Sequence, residues 1–208
     1  MPADTWPLFI MASLVLIVTP GQDMVLVLTR SVAHGVRAGV ATAAGVSVGL
    51  VGHTLLATFG LGALLRASEP LFVAFKLAGA AYLVYLGISL FRARETDLSV
   101  ASAPPRSTPR LFLDGAVSNL SNPKIAIFYL AFLPQFVPAD ATHPGMTLFA
   151  LGITFAALTF VVKGPVGLSA GLLSGWLRSR PAVQRWLHRC SGIVLIGLAA
   201  RLVFERRT

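Results

Sequence analysis

The chain has 208 residues, of which 55% are hydrophobic and only 12% charged, and its mean hydropathy is +0.77. A soluble domain carries about 25% charged residues, so half that share, gathered between long apolar runs, excludes a soluble globular domain. The net charge of +9 does not indicate nucleic acid, because the arginines occupy loops between apolar runs, where positive charge sets membrane topology.

A helix of about 20 apolar residues crosses a hydrocarbon core of about 30 Å. On that rule the sequence predicts an all-α, polytopic membrane protein with about six transmembrane helices. The spans are Trp6–Leu28, Gly39–Leu64, Leu71–Phe91, Leu111–Pro134, Met146–Leu173 and Cys190–Phe204. The first run follows Asp4 with no lysine or arginine before it, so it reads as a span and not as a cleaved signal. The lone cysteine, Cys190, reads as a small packing residue.

Ten arginines fall in loops 1–2, 3–4 and 5–6, against four in loop 2–3 and at the C-terminus. The positive-inside rule then places both termini outside and those three loops in the cytoplasm. Loop 3–4, residues 92–110, is rich in proline and small polar residues and reads as a cytoplasmic linker. It joins half-repeats 1–91 and 111–208 within a single transmembrane domain. Three spans per half make the two halves inverted, the plan of inverted-repeat transporters.

The first span of each half is broken. Span 1 carries Thr19-Pro20-Gly21-Gln22-Asp23 and span 4 carries Asn119-Leu120-Ser121-Asn122-Pro123-Lys124. Thr19 reads as an N-cap, Pro20 as a first helical residue and Gln22 as the third member of a capping box; Asn122 and Pro123 repeat the cap-then-proline order. Each break thus predicts a half-helix starting inside the membrane. Its unpaired N–H groups and positive dipole end must face protein or a water-filled cavity, and would suit a carboxylate.

Five ionisable residues are expected at membrane depth: Asp23, His53, Lys76, Lys124 and Lys163. A charge there costs at least about 2.5–3.5 kcal/mol, so each needs a partner or water. Lys124 lies roughly 20 Å from the cytoplasmic edge at 1.5 Å per residue, too deep to snorkel. Lys163 precedes Gly164-Pro165, which interrupts span 5 and favours a cavity position. Lys76 is near a span end, where snorkelling and a cavity role are both open. Asp23 suits either its own half-helix start or an ion pair, and Asp23 and His53 are the proton-coupling candidates. Gly45 and Gly49, and Gly167, Gly171 and Gly175, recur every four residues as close-packing positions; whether they meet inside the bundle or in a homodimer is open. Tyr82 and Tyr85 are expected to pack, not to line a cavity.

With these residues in view, the sequence resembles the LysE/RhtB family of amino-acid exporters. The resemblance rests on Thr19 to Met24, on the run Lys76 to Gly87, and on Asn119 to Lys124 followed by Phe132-Leu133-Pro134-Gln135-Phe136. It implies a bacterial cytoplasmic membrane and efflux of amino acids or small derivatives by proton exchange. Two departures set the chain apart: many members carry a second proline where it has Gln22, and Lys163-Gly164-Pro165 is not a general family feature. The expected substrate-binding or translocation set is Pro20, Gly21, Gln22, Asp23, Lys76, Asn119, Asn122, Pro123, Lys124 and Lys163, with no cofactor and no metal. Metal-cation export on a related helix plan is the alternative, opposed by the lysine-rich set and the lack of a Cys/His/Asp/Glu cluster. The sequence lacks H-E-x-x-H, G-x-S-x-G and paired acids within the spans, so no enzyme is expected.

Overall fold

The structure, a computed structural model, describes residues 5–67, 69–93, 106–137, 141–170, 172–173, 176 and 179–204; within these the side chains of 5, 61–67, 69–73, 75–76 and 201–204 fall outside the description. The described residues are almost wholly helical, with no strand among them. The helices are α1 (Thr5–Val18), α2 (Gln22–His34), α3 (Val36–Ala67), α4 (Glu69–Phe91), α5 (Thr108–Leu120), α6 (Pro123–Phe132), α7 (Pro144–Leu168) and α8 (Pro181–Phe204), with a 3-10 turn at Leu133–Phe136.

Two stretches, Val36–Gly60 of α3 and Pro144–Leu168, are each long and apolar enough to cross a bilayer. The pair α1–α2, bent by 54°, makes a third if taken as one span, and Leu77–Phe91 is a shorter apolar helix. The described residues thus form an all-helical arrangement with two to three candidate membrane spans, consistent with a polytopic membrane protein.

Punctuation residues place the ends. Pro123, Pro144 and Pro181 each open a helix, where the missing N–H would have been unpaired anyway. Gly35 closes α2 at φ 87°, a conformation that costs glycine nothing, and its N–H reaches Ser31 O at 2.8 Å.

Three expectations are corrected. The last helix begins at Pro181, nine residues before Cys190, so Arg185, His188 and Arg189 are helical and not in a loop. Lys163-Gly164-Pro165 does not interrupt α7, which runs on to Leu168. Pro165 falls in the last turn, where its missing N–H removes a single rung, and Ser169 N–H and Oγ close on Pro165 O. The linker is shorter than 92–110, because α5 starts at Thr108; residues 94–105 lie outside the described residues.

Helix α3 is the centre of the packing, lying against α5, α7 and α2, while α4 lies against α8 and α6. Lipid supplies no hydrophobic drive between helices, so contact depends on backbones coming close. Glycine provides this. A Cβ on Gly49 would stand 2.9 Å from Ala116 O, and one on Gly167 would stand 2.8 Å from Gly39 C. Gly45, Gly49 and Gly167 therefore pack α3 against α5 and α7 inside the chain; Gly171 and Gly175 lie outside the described residues. An aromatic cluster of Phe9, Phe128, Tyr129, Phe132, Phe136 and Phe155 fills one end of the core.

Candidate functional site

The two breaks meet. Asn122 Nδ2 donates to Gln22 Oε1 at 3.0 Å, and Asn119 Nδ2 donates to Asp23 Oδ2 at 2.9 Å. Two segments about a hundred residues apart in sequence are thus joined side chain to side chain at their points of interruption.

At the second break the expected cap is present: Asn122 Oδ1 accepts the Lys124 N–H at 3.0 Å, and Pro123 is the first residue of α6. The first break differs. Gly21, extended at φ −150° and ψ −173°, is the N-cap of α2, without a side-chain cap bond. Thr19 instead turns its hydroxyl back to Val15 O at 2.8 Å and to Ser191 Oγ, so neither Thr19 nor a Thr19–Gln22 capping box closes this end. Pro20 sits between α1 and α2, outside both.

Asp23 is buried in the first turn of α2. Its Oδ2 accepts from Lys163 Nζ at 3.3 Å as well as from Asn119, and both charged side chains are about nine-tenths buried. The partner of Asp23 is therefore Lys163 of α7 and not Lys124. Two buried opposite charges in contact cancel most of their mutual field, though the pair itself is costly to desolvate. Asp23 Oδ1 and Asn119 Oδ1 are buried without a hydrogen-bond partner.

His53 of α3 is 2% exposed, with Nε2 3.0 Å from Asn119 O and its ring against Tyr129. Asn119 thus links His53, through its carbonyl, to Asp23, through its amide. A second histidine, His188 of α8, does the equivalent at the first break: it is buried, with Nε2 3.1 Å from Pro20 O. Sequence reading missed His188 because it assigned residues 178–189 to a loop. The signal was Pro181, which marks a helix start.

Asp23 and Lys163 border a cavity of about 180 Å³. Its lining includes Thr19, Pro20, Gly21, Asp23, Lys124, Thr159, Lys163 and Ser191 with the ring of Tyr129, and elsewhere it is apolar, with Ile17, Leu50, Leu86, Ile125, Phe128, Phe155 and Leu195. Of the expected set, Pro20, Gly21, Asp23, Lys124 and Lys163 reach it. Gln22, Asn119 and Asn122 stand behind it as the struts of the breaks. Lys124 has no ion pair among the described residues. Lys76 belongs to α4, but its side chain lies outside the described residues. Tyr82 donates from its hydroxyl to Lys124 O at 3.1 Å, bracing the first turn of α6, and Tyr85 is exposed; neither lines the cavity.

Outside the cavity lining, Asp114 of α5 gathers three arginines: Arg30 at 3.5 Å, Arg110 at 3.3 Å, and Arg106. Arg30 comes from the end of α2 and Arg106 from just before α5, so the first and second halves are tied there too.

The chain is 32% identical over 206 residues to a homoserine/homoserine lactone efflux protein of Salmonella typhimurium, covering 99% of each. It is 31% identical over 197 residues to a leucine efflux protein of Klebsiella pneumoniae, covering 93% of this chain and 92% of that one. No solved structure matches it significantly. A model of the LysE type translocators matches residues 14–206, and on that match the chain belongs to this family, a transporter and not an enzyme.

Proposed function

We propose that the protein exports amino acids with neutral, largely apolar side chains across the bacterial cytoplasmic membrane. The observation that carries this reading is the cavity itself, where Lys124, without an ion pair among the described residues, stands beside a half-helix start and much of the remaining wall is apolar. The substrate carboxylate sits at Lys124 and the positive end of α6. The side chain lies against Leu50, Phe128, Phe155 and Leu195, and the oxygens around Thr19 and Ser191 offer acceptors for the ammonium. The efflux activities in the names of the leucine and homoserine relatives support the same class.

The transport frame is six spans in two inverted halves, with α1–α2 and α5–α6 as broken spans. In support, each half's helix after the break packs on its counterpart (α3 on α7, α4 on α8), and each also packs on the other half's second half-helix (α7 on α2, α3 on α6). Arg30, expected in loop 1–2 but lying near the end of α2, and Arg106, just before α5, meet on one carboxylate, as segments ending on one membrane face would. The driving force is proton exchange through Asp23 and His53, which Asn119 connects. No observation favours metal export over this reading.

The test is a panel of radiolabelled amino acids loaded into cells lacking their own exporters. Neutral aliphatic amino acids should leave faster when the protein is expressed. A panel in which none does would overturn the reading.

A further inference from the structure

Among the described residues, three charged side chains line the cavity, Asp23, Lys124 and Lys163. Two of them neutralise each other. Lys163 Nζ stands 3.3 Å from Asp23 Oδ2, with both side chains about nine-tenths buried, and Asn119 Nδ2 holds the same oxygen at 2.9 Å. The carboxylate that would otherwise attract a cation is already occupied by a lysine of the protein's own. Among the described residues Lys124 has no ion pair, so the described lining carries one net positive charge.

Lys124 is exposed, whereas Asp23 and Lys163 are buried, so discrimination by charge is strongest at the ion pair. A zwitterion brings a carboxylate for Lys124 and no surplus. A ligand with a second ammonium adds a positive charge beside a buried carboxylate that already has its cation. We propose that Lys163 is a specificity-determining residue: by engaging Asp23 it bars amino acids with cationic side chains. This rests on the reading of the protein as an amino-acid exporter and deepens it, naming the excluded class and the residue that excludes it.

Norleucine and lysine isolate the effect, since their side chains share the same four-carbon stem and differ by one ammonium. Efflux of each is measured from proteoliposomes containing wild type, Lys163→Gln, Lys163→Arg, Asp23→Asn or Asp23→Asn/Lys163→Gln at matched protein content. Wild type should prefer norleucine. Lys163→Gln uncovers Asp23 and brings the lining to zero net charge, so the norleucine-to-lysine ratio should fall by about tenfold or more, the scale of one displaced charge contact. Lys163→Arg keeps the charge and should keep the ratio. The double variant restores the single positive charge without the ion pair and should return the ratio toward wild type, which a merely structural role for Lys163 would not do. Asp23→Asn leaves two unpaired lysines and should raise the ratio. Because Asp23 is also a proton-coupling residue of the export reading, the ratio in this variant and in the double variant is read as competition of norleucine and lysine for binding, and it decides the matter even if Lys163→Gln fails to fold.

An unchanged ratio in Lys163→Gln, or a ratio in Asp23→Asn that does not rise, overturns the proposal while leaving amino-acid export standing. Absence of norleucine and of every other amino acid from wild-type efflux overturns the export reading, and this inference with it.

Discussion

Asn119 has two tasks at once: its backbone carbonyl faces His53 Nε2 and its side-chain amide holds Asp23. Only the second depends on the side chain. Asn119→Ala should therefore remove one charge-assisted bond and leave His53 in place, lowering stability by about 1–3 kcal/mol; the midpoint of thermal denaturation in detergent should fall. Asn119→Asp should be worse, since it sets a second carboxylate against Asp23. A melting midpoint unchanged in both would show that this bond does not hold the breaks together. At this scale the sequence was legible where a motif is local. Asn122 before Pro123 announces its own cap. At the first break the sequence pointed to Thr19 as the cap, whereas its hydroxyl turns back to Val15 O and to Ser191 Oγ, 172 residues away, and Gly21 takes the cap position. The Asp23–Lys163 pair spans 140 residues, and nothing local could select Lys163 over Lys124.

Helix α3 owes its central place to glycines that remove side-chain thickness. Gly49 faces Ala116 O and Asn119, whereas a Cβ on Gly60, on the same helix, would meet nothing within 4 Å. Gly49→Leu should push α3 off α5, displace Asn119 from Asp23 and abolish transport. Gly60→Ala should be neutral or stabilise by about 0.5–1 kcal/mol, because glycine loses more backbone freedom in a helix than alanine. Membrane abundance and melting midpoint check both; a tolerated Gly49→Leu would contradict the packing. The apolar runs and the four-residue glycine spacing made these helices legible. The partner helix was not, because a small-residue stripe reads the same whether it meets a helix of its own chain or of another. The start of α8 was hidden for a different reason: Arg185, His188 and Arg189 look like a loop until Gln184 and His188, buried at 3% and 4% exposure, give the segment an inward face.

For the molecule as a whole, the inverted plan requires residues 94 and 208 to lie on opposite membrane faces. Reporter fusions after Arg94 and after Thr208 should report cytoplasm and exterior respectively, and the same face for both would exclude six spans. Asp114 ties the halves on the face assigned to the cytoplasm, with three guanidiniums around one carboxylate. Asp114→Ala leaves those cations facing one another, and should reduce stability more than Arg110→Ala, whose side chain is 68% exposed and whose pairing contributes about 0–1 kcal/mol. Equal losses would show that the cluster is not a tie. The central claim is that Lys124 and the start of α6 receive a substrate carboxylate. Its most direct measurement is leucine efflux from proteoliposomes carrying wild type or Lys124→Met at equal protein content. The account predicts saturable leucine efflux for wild type and a reduction of about tenfold or more for Lys124→Met with normal folding, the loss of one transport-specific charge contact. Leucine efflux from Lys124→Met at the wild-type rate would contradict it.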